Sequence, residues 1–211
     1  MLAALPKADP RFRVAFLIGA GFRTGQVAEY LTRSGVQEGG TFGVYAEFMD
    51  RKAQETVRID LPPVAQRELR HAMEDGHLRE LEAAYQSGDL EDYYIVAGGQ
   101  MRDGACQVKH AGRPLDRSYV LTLFRRHERA AGVEHINGRS LHGLRRAFET
   151  LVGRHTQDPD VRDRAGGWKI GGGTRSKIYT NKQDAKLTEA AARARAAALS
   201  DVSSAATPAE R

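Results

Sequence analysis

The segment Leu141-His142-Gly143-Leu144-Arg145-Arg146 sets an imidazole and a guanidinium three residues apart. On a helix, at about 100° per residue, Leu141, Leu144, Phe148, Leu151 and Val152 fall on one apolar stripe, with His142 and Arg145 side by side at its edge. An arginine at such an edge can bury its stem and aim its charged head into a cleft. A neighbouring imidazole can share a phosphate oxygen with it or move a proton. His-x-x-Arg also arises by chance in many helices, so the pair decides nothing alone.

Four further residues could serve the same chemistry. Trp168, the only tryptophan, follows Gly166-Gly167 in a basic segment. A core tryptophan is the default, but its indole N–H is also a fixed donor. Tyr179 is the last of seven tyrosines and follows the glycine-rich turn Gly171-Gly172-Gly173. Arg23 follows Gly19-Ala-Gly-Phe, where one helix stops and another restarts with free N–H groups that favour an anion. Lys52 sits at the tip of an expected hairpin, where a lysine is ordinarily a solvated turn residue.

The elements that must position these residues are readable from periodicity. Arg11 to Ile18 is apolar and helix-like, and Thr24 can cap a second helix carrying Val27, Tyr30 and Leu31, with Gly39-Gly40 closing that region. Phe42, Val44, Ala46 and Phe48 alternate, as do Val57, Ile59 and Leu61, which predicts an antiparallel hairpin with Asp50 to Gln54 as its tip. Pro62-Pro63 ends the sheet, and an acidic helix or helix pair follows to about Tyr85. Tyr93 to Val96 could add a third strand, and Gly98 to Pro114 reads as loop. Helices are expected over Arg117–Ala131, from Leu141 to about His155, over Val161–Ala165 and over the alanine-rich Ala185–Leu199, with a frayed tail from Ser200. The expected fold class is α+β, mainly α with a small antiparallel sheet.

At 211 residues, 41% hydrophobic and 28% charged, the chain suits one well-buried soluble domain. No apolar run spans a membrane and the N-terminus lacks the pattern of a signal peptide, so a cytoplasmic location is expected. The single cysteine, Cys106, excludes an internal disulfide, and its lone pairing with His110 is too little for zinc. The net charge of +5 is unevenly spread. Residues 138–182 hold ten Lys/Arg against four Asp/Glu, while 63–92 hold three Arg against eight Asp/Glu. Basic stretches are often only solvated faces, but this one surrounds the residues singled out above.

Taken in order, Arg23, Lys52, His142, Arg145, Trp168 and Tyr179 resemble the catalytic domain of the tyrosine recombinase, or phage integrase, family, over about residues 10–183. In that family the first arginine follows a Gly-hydrophobic pair, here Gly21-Phe22, and the lysine lies on a hairpin shortly before a Leu-Pro exit, here Leu61-Pro62. Trp168 stands where the family more often has histidine. The resemblance implies the DNA breaking-rejoining fold and site-specific recombination through a covalent 3′-phosphotyrosine. Its arginines would neutralise the phosphate, Trp168 would donate to it, His142 would serve as base and Lys52 would protonate the leaving oxygen. It implies no metal or cofactor.

Double-stranded DNA is the implied partner, met by Arg139, Arg146, Lys169, Arg175 and Lys177 in the basic stretch, with nucleoid association following from it. Family members often dock the segment after the tyrosine on a neighbouring protomer. Residues 185–199 are expected to do so in a DNA-bound tetramer, through Leu187, Ala191, Ala194 and Ala198, which divides the chain into a catalytic domain over 1–183 and a helix and tail over 184–211. The family's N-terminal DNA-clamping domain is expected to be absent. Two features depart from the pattern: Gln26 replaces the acidic residue that usually buttresses the first arginine, and the Trp168–Tyr179 segment is long. They leave open a relative that binds DNA without cutting it. A type IB topoisomerase or telomere resolvase would share the chemistry, although Gly-Gly-Trp before the tyrosine favours a recombinase.

Overall fold

The computed structural model describes residues 9–20, 24–50, 54–74, 76–98, 101–102, 105–106, 113–115, 117–134, 140–166 and 185–204. These form an α+β protein, mainly helical, with one small three-stranded antiparallel sheet.

The first helix, α1 (Pro10–Gly19), is apolar on nearly every face and lies at the centre. Phe12, Val14, Ala15, Phe16, Leu17 and Ile18 are all buried, as expected of a helix wrapped by others. Pro10 occupies its first turn, where a missing N–H costs nothing, and the Asp9 carboxylate accepts from the Arg11 backbone N–H at 2.9 Å. Around α1 pack α2 (Thr24–Tyr30), α3 (Pro63–Glu74) and α5 (Arg117–Ala130), while α4 (Gly76–Ser87) packs on α3.

Strands β2 (Val44–Asp50) and β3 (Glu55–Asp60) pair as the alternation predicts, with Ala46 opposite Ile59 and Phe48 opposite Val57 on the buried face. The third strand differs from the sequence reading. It is β1 (Val36–Glu38), which precedes the hairpin and pairs with β2. The run expected to supply it, Tyr93 to Val96, instead lies beside the residues that follow α2. Arg33 N–H donates to Tyr93 O and Ile95 N–H to Leu31 O. Gly39-Gly40 therefore turns strand into strand instead of closing a helical region. Gly40 has φ +72°, and a Cβ there would lie 2.2 Å from Asp60 Oδ1.

Between Ala97 and Pro114, expected as loop, are four two-residue strands: β4 (Ala97–Gly98) with β7 (Arg113–Pro114), and β5 (Met101–Arg102) with β6 (Ala105–Cys106).

The remaining helices are α6 (Leu141–Val152), α7 (Pro159–Gly166) and α8 (Ala185–Ser204), which pack on one another. Here the reading of the C-terminus needs correction in one respect: the helix runs to Ser204, with Val202 buried, instead of fraying from Ser200. Within the chain, Ala191, Ala194 and Ala198 are buried with Leu199, and the helix packs against α3, α6 and α7. Small side chains let helices approach closely, and that is the use made of them here. Among the described residues no helix is long and apolar enough to cross a membrane.

Candidate functional site

Helix α6 carries the His-x-x-Arg pair as its periodicity predicts. Leu144, Phe148 and Val152 are buried, and Leu141 and Leu151 are half-buried beside them. His142 is exposed in the first turn, Arg145 is half-buried with its Nε shielded from solvent, and Arg146 is exposed. Arg145 thus sinks its stem along the apolar stripe while His142 stays open to solvent. Ser140, in extended conformation, leads into the helix without a side-chain cap, and no acidic residue stands in the first turn. Neither a Ser140 cap nor an acidic side chain of the first turn offsets the positive end of the helix dipole beside His142, a setting that favours an anion.

The remaining expected site residues, Arg23, Lys52, Trp168 and Tyr179, and the expected DNA contacts Arg139, Lys169, Arg175 and Lys177, lie outside the described residues. What frames two of them is described. In the sequence Arg23 falls in the four-residue break, 20–23, between α1 and α2. Across that break Gly19 and Thr24 meet so closely that a Cβ on Gly19 would lie 2.8 Å from Thr24 Cα. Three residues beyond Arg23, Gln26 is half-buried, and its Oε1 is shielded from solvent with no hydrogen-bond donor among the described residues. A buried orphan acceptor at this position suits a guanidinium partner. Lys52 belongs to the connection closed by the Asp50–Glu55 pair, so the hairpin tip is one residue tighter than the sequence reading placed it. Asp50, at the end of β2, is buried.

One residue of evident structural weight escaped the sequence reading. Arg195, on α8, is only 4% exposed. Its Nη1 donates to Ala20 O at 2.5 Å, and its Nη2 donates to Ile18 O at 2.5 Å and to Leu17 O at 3.3 Å. Thr24 Oγ1 donates to the carbonyl between them, Gly19 O, at 3.5 Å. The last carbonyls of α1, which no further helical turn can satisfy, are thus met by Arg195 and Thr24. The guanidinium also lies over the Phe148 ring of α6, at 5.4 Å from its centroid. Burial pushes its pKa down to about 10, so it remains a cation at neutral pH. The signal was available: Ala191, Arg195, Ala198 and Val202 share one helical stripe, and an arginine in the middle of such a stripe needs a buried partner.

Among the described residues no group of three or more His, Cys, Asp or Glu side chains is placed to hold a metal ion. No family model, curated protein or solved structure matches the chain.

Proposed function

We propose that the chain is the catalytic domain of a tyrosine recombinase, which cleaves and rejoins DNA through a phosphotyrosine at Tyr179. The observation that carries this reading is the pairing of His142 with Arg145 on α6. One is open to solvent and the other half-buried, in the first turns of a helix that has no acidic residue in its first turn. The order of Arg23, Lys52, Trp168 and Tyr179 around that pair in the sequence supports it. The α+β architecture is compatible with the DNA breaking-rejoining fold proposed with it.

The chemistry follows from what a phosphodiester demands. Arg23 and Arg145 neutralise the non-bridging oxygens, since a guanidinium holds phosphate in two places and keeps its charge. Trp168 adds an uncharged donor to the same oxygens. The Tyr179 oxygen attacks phosphorus in line as its proton passes to His142, and the bond to the 5′-oxygen breaks. Lys52 gives that oxygen its proton. Attack by another 5′-hydroxyl on the phosphotyrosine reverses the step and joins a new strand. Double-stranded DNA is the substrate, and Arg139, Arg146, Lys169, Arg175 and Lys177 form its basic contact surface. Self-association on DNA, through residues 185–199, belongs to the proposal.

One observation favours a second reading, a relative that binds DNA with weakened cleavage. Gln26 offers an acceptor without charge where a carboxylate would hold Arg23 more firmly. The test uses a pool of nicked duplexes with randomised arms, on which cleavage releases a short strand and traps the enzyme. Covalent adducts recovered under denaturing conditions are the predicted result. Binding of the pool without any adduct would contradict cleavage and support the second reading.

A further inference from the structure

We infer that Arg195 is a positioning residue for strand cleavage, fixing the α1 end that leads into Arg23 against the helix that carries Arg145; this rests on the reading proposed above. Three observations converge on it. First, Arg195 donates to the carbonyls of Leu17 and Ile18 in the last turn of α1 and to that of its C-cap, Ala20, and Arg23 follows Ala20 by three residues. Second, the same guanidinium lies on Phe148, one helical turn beyond Arg145 on α6. Third, no carboxylate pairs with it among the described residues, so its counter-charge is the negative end of the α1 dipole.

A buried cation is a costly way to fill space, because its hydration is lost and only part of it is recovered from carbonyls. An apolar side chain in the α8 stripe would serve packing at least as well. What the arginine adds is direction. Its planar fork ties the C-terminal end of α1, three residues before Arg23, to the face of α6 that carries Phe148, one turn from Arg145. Two guanidinium groups can share one phosphate only if their backbones are held in register to within a fraction of an ångström.

The inference separates from simple stabilisation by experiment. Arg195→Met keeps the stem and removes the fork, and Arg195→Lys keeps charge with a single donor head. Both are compared with wild type well below the melting temperature of the less stable variant. The substrate is a duplex recovered from the randomised pool, carrying either phosphate or methylphosphonate at the cleaved position. Methylphosphonate lacks one negative charge and depends less on the arginine pair. The expected result for Arg195→Met is unchanged DNA binding with single-turnover cleavage lowered by about 10²-fold on phosphate, the loss that an error on the order of 1 Å produces. A much smaller loss is expected on methylphosphonate, with Arg195→Lys between the two proteins. Equal losses on both duplexes, or cleavage at the wild-type rate, overturn the inference and leave the cleavage reading standing. A wild type that forms no adduct overturns both.

Discussion

At Gln26 a single uncharged side chain bears on the proposed cleavage. Its Oε1 is buried without a donor among the described residues, three residues beyond Arg23. If the Arg23 guanidinium is its partner when DNA is bound, Gln26→Glu replaces a neutral hydrogen bond by a charge-assisted one. Single-turnover cleavage should then rise by about tenfold, the difference between those two kinds of bond. A fall in melting temperature with no gain in rate would show that no cation reaches this position. The placement of His142 and Arg145 on one helix edge was legible from periodicity alone, while Arg23, Lys52, Trp168 and Tyr179 lie outside the described residues. Arg195 escapes a reading of the sequence because an alanine-rich helix reads as a surface element. Its role emerges only from its bonds to carbonyls 175 residues and more away.

At the scale of elements, α1 carries the core, and its two ends are held in different ways. The C-terminal end depends on Arg195 and Thr24, and the N-terminal end on Asp9. Burial alone would raise the Asp9 pKa, but the hydrogen bonds and charge of Arg11 outweigh it and hold the carboxyl below its ordinary 3.8. A depressed carboxylate contributes stability that is fully present above the ordinary pKa and lost as pH falls through the folded value. Asp9→Ala should therefore cost about 1 kcal/mol at neutral pH, as lost caps do, and the gap to wild type should close below pH 3.8. Denaturant melts at pH 7 and pH 3 check this, and a gap that persists in acid would assign the cost to something other than the carboxylate.

The elements were mostly visible in sequence. The buried faces of β2, β3 and α6 follow their periods, and prolines and glycines mark most of the ends. The third strand was misplaced because Val36–Glu38 is short and half-exposed and carries no alternating signal. Tyr93 to Val96 has strong strand propensity, but it is spent on contacts with the residues after α2. Propensity reports what a segment can do, and its partners decide what it does.

At the scale of the molecule, charge is unevenly distributed along the chain, as the proposed binding of a polyanion requires. The basic excess lies in residues 138–182, and the acidic residues concentrate in α3, α4 and the turn after them. Binding to duplex DNA should weaken steeply with salt, with a log–log slope of about −0.9 for each phosphate neutralised. Arg146 is exposed on α6 and points to backbone contact instead of base readout. Arg146→Ala should weaken binding evenly across sequences and reduce the slope by about 1. A titration series in which the slope is unchanged, or the loss falls on particular sequences, would remove Arg146 from the phosphate surface. In the C-terminal helix, Ala191, Ala194, Ala198 and Leu199 are buried within the chain.

All three scales meet at one phenol. The most direct measurement is to trap the chain on a nicked duplex from the randomised pool, digest the adduct with protease and nuclease, and map the modified residue by mass spectrometry. The cleavage reading predicts a nucleotide linked through a 3′-phosphate to the peptide containing Tyr179, and no adduct from Tyr179→Phe. An adduct on any other residue, or one that survives Tyr179→Phe, would contradict it.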